Sequence, residues 1–237
     1  MDMDMDMDMD MSKTKVDILK NEIRGKCFST KEAGVYKVSP RMLSFYVKKG
    51  VLERVRRGYY IFPEFVSDED FQFSDMAVNS KGIKESVICL ISALSYWGIT
   101  DEIPRSYWFA IPNNYSIPKD KNNIHIIRPR NLTSGVIWKK IAGQTVRITN
   151  PERSVCDAFK YLDEETAITS LRHYFDQDEE KVRISDLLEM ASKLRSPKVI
   201  EIIKELTIAK AKDYPSIKRS VFQDSIKWLS ANHEVVT

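Results

Sequence analysis

SPRMLSFYVKKGVLERVRRGYYIFP, residues 39–63, is the stretch on which the reading of this chain turns. Ser39 is a good N-cap, since its hydroxyl accepts from an amide that the first helical turn leaves free. Pro40 suits the first helical position, where a missing N–H costs nothing, and Gly50 supplies a left-handed stop after Lys49. Past the stop, Leu52–Arg56 and Tyr59–Phe62 are short strand-like runs around Arg57-Gly58. A capped helix running straight into a basic hairpin is the reading half of a winged helix-turn-helix. That module sets its helix in a major groove and its wing against phosphate.

Working toward the N-terminus, Val16–Arg24 predicts a first helix with Ile18, Leu19 and Ile23 inward, and Cys27-Phe28 a short apolar bridge. Ser29-Thr30-Lys31-Glu32 matches a capping box, in which Ser29 and Glu32 satisfy each other's free amides. It opens a short second helix to about Val35, and Tyr36–Val38 makes the turn into the third. On that third helix Leu43, Tyr46 and Val47 share the core face. Arg41, Ser44, Phe45 and Lys48 share the opposite face, where base edges are met. Phe45 fits either thymine methyls or the underside of the wing. Lys48 and Lys49 also suit the negative end of the helix dipole. Arg54, Arg56 and Arg57 crowd one hairpin, so a phosphate-bearing partner relieves their repulsion. The turn there is two residues, or three if Arg56 joins it. Tyr59, Tyr60 and Phe62 pack the wing down. The DNA-binding set expected from the module is therefore Ser39, Arg41, Ser44, Phe45, Lys48, Lys49, Arg54, Arg56 and Arg57.

Charge follows the same boundary. The 237 residues carry a formal +3, but Met1–Asp10 is five Met-Asp repeats without a packing period. Residues 1–11 read as an expression leader, disordered or non-native. Residues 12–62 hold thirteen Lys/Arg against four Asp/Glu, a net of +9, whereas residues 63–237 net −1. A positive excess confined to one small module is the footprint of a polyanion binder.

The chain divides into a winged helix-turn-helix at 12–65, an acidic linker at 66–75 and a larger domain at 76–237. The fold class is α+β: a winged helix-turn-helix, then a mixed α/β domain with a helical C-terminal part. In the larger domain, residues 83–97 read as one apolar helix. Ser106–Ile111 and Asn123–Ile127 read as strands, and Val136–Ile141 and Gln144–Ile148 as a hairpin over Ala142-Gly143, giving a small sheet at 106–148. Asn150, Pro151 and Glu152 form a clean helix start. Helices follow over about 151–162, 164–176, 184–194, 197–212 and 216–231.

Three cysteines, Cys27, Cys89 and Cys156, lie far apart and read as buried reduced thiols of a bacterial cytoplasm. No run is long enough to span a membrane. Glu152, Arg153 and Asp157 are the tempting catalytic set. Glu152 and Asp157 are five apart on a helix and share no face, and the helix dipole with an internal ion pair explains Glu152 and Arg153. No phosphate-binding glycine loop, nucleophile elbow or His/Cys metal cluster is present, so no catalytic residue, metal or cofactor is expected.

Three segments, LSFYVKKGVLERVRRGYYIF, ISALSYWGI and ITNPERSVCDAF, at these separations resemble the AbiEi antitoxin family of abortive-infection, type IV toxin–antitoxin phage-defence systems. The resemblance spans nearly all of residues 15–237. It implies a bipartite antitoxin whose winged helix binds double-stranded DNA, repeats in its own promoter, and represses transcription. Its C-terminal domain opposes a toxin with a nucleotidyltransferase fold, by direct contact or otherwise. On the same basis Arg41, Ser44 and Lys48, with Arg54, Arg56 and Arg57, contact DNA, and Phe45 stands where the family leads one to expect a basic residue. Two other readings fit this architecture: a regulator without a toxin, and a C-terminal domain that chemically modifies the toxin.

Overall fold

The computed structural model describes residues 14–115, 123–178, 182–208 and 231. The expected leader, residues 116–122 and nearly all of the helix expected over 216–231 lie outside them. The chain forms two compact units. The first runs to Val78 and includes residues Lys140–Gln144, and the second takes Asn79–Lys139 and Thr145 onward.

The first unit opens with α1 (Lys15–Glu22), capped by Thr14 and Asp17, which satisfy each other's amides. This start puts Val16 and Leu19 inward, while Ile18, expected in the core, is 43% exposed. Phe28-Ser29 is a strand, β1, which takes in Phe28 of the bridge expected at Cys27-Phe28. Then follow α2 (Thr30–Val35), capped by Ser29 and Glu32 as its sequence dictates, and α3 (Pro40–Lys48), whose Ser39 cap accepts from the Met42 amide at 3.3 Å. The hairpin is β2 (Glu53–Arg56) and β3 (Tyr59–Ile61), and β1 pairs antiparallel with β3 in the order β1-β3-β2. Leu43, Leu52, Phe28 and Phe62 are fully buried between helices and sheet.

Residues 66–75, where a linker is expected, form helices instead: α4 (Asp68–Gln72) and the start of α5 (Ser74–Gly82). Apolar spacing explains the difference, because Phe71 and Val78 pack with Cys27, Ile61 and Ala142. Ala142 and Gly143 sit at a hairpin tip with φ of 45° and 70°, a pair of left-handed residues that a tight hairpin turn requires. A Cβ on Gly143 would lie 2.1 Å from the Gly25 carbonyl oxygen, so only glycine fits. The Cys27 amide donates to the Ala142 carbonyl, and the Gln144 side-chain amide donates to the Cys27 carbonyl.

In the second unit the single helix expected over 83–97 is divided. Val87-Ile88 is a strand, β4, and only Leu90–Tyr96 is helical, α6. Both strand residues are β-branched and wholly buried. β4 occupies the middle of a five-stranded sheet, in the order β6-β5-β4-β8-β7, with β5 at Tyr107–Ala110, β6 at Ile124–Ile127, β7 at Val136–Ile141 and β8 at Gln144–Thr149. It pairs antiparallel with β5 and parallel with β8. Helices α7 (Pro151–Tyr161), α8 (Glu164–Phe175), α9 (Ile184–Lys193) and α10 (Pro197–Ile208) pack with α6 around Leu94, Val155, Leu171, Tyr174 and Leu187. All three cysteines are buried free thiols.

Candidate nucleic-acid interface

Nine side chains carry the DNA reading, and the first unit treats them unequally. Ser39 is committed to its cap. Ser44 Oγ donates to the Pro40 carbonyl at 3.1 Å, leaving its lone pairs as acceptors. Arg41 and Lys48 are exposed on α3, without an ion pair among the described residues. Lys49 caps α3 and sets Nζ 4.7 Å from the Phe45 ring centroid. Phe45 is 50% exposed and meets Tyr46 edge-on at 5.4 Å. Its ring therefore stands in the open on the outward face of α3.

The hairpin separates its three arginines. Only Gly58 of the Arg57-Gly58 pair has a positive φ, 82°. A two-residue mirror-image turn needs both. The strands compensate with a register shift between Arg54 and Arg56, which leaves Val55 as an extra residue. Arg57 projects at the exposed tip, and Arg54 is exposed with its guanidinium 5.7 Å from the Tyr60 ring. Arg56 is drawn back: it stacks 4.5 Å from the Tyr59 ring, and its Nε lies 3.8 Å from Asp75 Oδ1 on α5. Part of its charge is thus answered inside the unit, which lessens the repulsion that the sequence alone implies.

Sequence spacing missed how the hairpin is anchored. The Thr30 amide and hydroxyl both donate to the Gly58 carbonyl, at 2.9 and 3.2 Å, tying the turn to the start of α2. β1 fixes the inner edge of β3. Neither device has a local signature, because each joins residues about 30 apart. Asp75 was equally hidden, lying in what read as linker.

The tempting acidic residues of the second unit are structural. Arg153 and Asp157 pair at 2.7 Å with both side chains almost wholly buried. Arg153 also donates to the Ser134 and Asn131 carbonyls, at 2.8 and 2.9 Å. Burial raises the Asp157 carboxyl, and Arg153 opposes that shift. Glu152 is not part of this ion pair: it accepts from the Tyr174 hydroxyl at 3.0 Å, and burial pushes its carboxyl above the ordinary glutamate range. The described residues hold no group of three or more His, Cys, Asp or Glu placed for a metal. No helix among them is long and apolar enough to cross a membrane.

Residues 17–63, the span from α1 to the end of the wing, match the model of a family described as transcriptional regulator, AbiEi antitoxin. This is the family that the sequence resembles. No curated protein matches the chain. Among solved structures it is similar to the crystal structure of RV2827C protein from Mycobacterium tuberculosis, with 13% identity, 76% of this chain and 74% of that chain covered, and a TM-score of 0.45.

Proposed function

We propose that this chain, whose winged module is of the AbiEi antitoxin type, is a DNA-binding autorepressor and antitoxin of a type IV phage-defence system. The first unit binds repeats in its own promoter. The second unit opposes a nucleotidyltransferase-type toxin without chemistry of its own. The observation that carries the reading is the set of exposed cations, Arg41 and Lys48 on α3 and Arg57 at the wing tip, that make no ion pair among the described residues. Phosphates answer such a set, and the released counterions make binding steeply salt-dependent.

The experiment is a titration of fluorescent duplex from the chain's own upstream region with full-length protein at several salt concentrations. Binding that tightens as salt falls, and that prefers this duplex over scrambled DNA, supports the reading. Equal binding to both duplexes removes operator recognition from it. Co-expression with the adjacent reading frame tests the antitoxin half: restored growth supports it, and unchanged toxicity leaves a regulator alone.

A further inference from the structure

We infer that Phe45 reads the 5-methyl group of a thymine in the operator's major groove; this rests on the DNA reading above. The stripe Arg41, Phe45, Lys48 follows helical spacing on the face of α3 opposite the buried Leu43. An apolar ring 50% exposed thus sits at the centre of that stripe, one helical turn from a cation on each side. The ring is held in place, edge-on to Tyr46 and beneath the Lys49 ammonium. Whatever covers it must offer an apolar group flanked by negative charge. A duplex does so: phosphates border the major groove, and the thymine methyl is the apolar group that its base edges display there. A second copy of this chain does not, because a two-fold interface centred on the ring would bring the Arg41 and Lys48 cations of one copy against those of the other.

The test begins by selecting duplexes from a random library with the full-length protein, then replacing each thymine of the selected site by deoxyuridine. Uracil keeps every hydrogen bond and lacks only the methyl. Wild-type protein should lose affinity about fourfold at one or two positions, the effect of one buried carbon. The loss should vanish in Phe45→Ala and persist in Phe45→Leu. If no thymine is sensitive, or if Phe45→Ala responds like wild type, the inference is overturned while DNA binding stands. A self-association abolished by Phe45→Ala, with uracil neutral, assigns the ring to a second copy and overturns it equally. If no duplex is enriched, the DNA reading fails with it. Phe45 is half exposed, so Phe45→Ala should melt like wild type; should it misfold, the wild-type uracil scan alone decides.

Discussion

Arg153 and Glu152 are neighbours on α7 with opposite electrostatic fates. Arg153 is a buried cation whose donors are met by a carboxylate and two carbonyls. Removing it leaves the Asp157 carboxyl without its partner in a dry site. Arg153→Met should therefore cost about 3–5 kcal/mol in urea denaturation, and Arg153→Met with Asp157→Leu should recover most of that. If the double variant is no better than the single one, the carbonyl contacts rather than the charge dominate. Glu152 follows a different rule. Burial raises its folded-state value above the ordinary 4.5, so the folded protein holds this proton where the unfolded chain has released it. Proton linkage then makes the wild type lose stability as pH climbs from 4.5 toward neutrality. Glu152→Gln lacks that loss and keeps an acceptor for Tyr174. Its stability relative to wild type should rise over this pH range, and a pH-independent difference would contradict the burial argument.

Among the elements, the wing invites the sharpest comparison. Arg57 stands clear at the tip, whereas Arg56 leans on Tyr59 and Asp75. Arg57→Ala should lower the slope of log affinity against log salt by about one, as for one lost phosphate contact. Arg56→Ala should lower it less and should cost thermal stability as well. Equal slopes for the two would mean that Asp75 does not hold Arg56 back when DNA is bound. The same scale shows what a sequence reveals. Helices α2, α3 and α7 were legible because Ser29, Ser39 and Asn150 cap them through bonds three residues away. The hairpin of β7 and β8 was legible from Ala142-Gly143. Strands β1 and β4 were not, since two residues carry no period and their partners lie far along the chain. A wholly apolar run such as 87–91 reads equally as buried helix or buried strand. Of the site, the cations and the ring of Phe45 were legible as residue types. Their degree of freedom was not, because it depends on Thr30 and Asp75.

At the scale of the whole molecule, the two proposed activities should separate without cutting the chain. Arg41→Ala with Arg57→Ala in the full-length protein should abolish repression of a promoter reporter and leave protection from the toxin intact. Loss of both would mean that protection operates through DNA. Truncation is a poorer instrument. A fragment ending at residue 65 lacks Val66, Phe71 and Val78, and with Ala142 also gone, the cluster around Cys27 and Ile61 keeps only Val55 and Tyr59 of its apolar members. Such a fragment should bind duplex weakly for reasons of folding, visible as a loss of cooperative melting.

The origin of Lys140–Gln144 has a consequence in time. A ribosome synthesises the reading helix and wing early, yet the Cys27 backbone finds its partners only when Ala142 and Gln144 emerge. A nascent chain, or one released prematurely before that point, carries an unfinished winged module. If the chain represses transcription as proposed, full-strength silencing accrues to translation products that have passed residue 144, with residues 79–139 of the second unit already made.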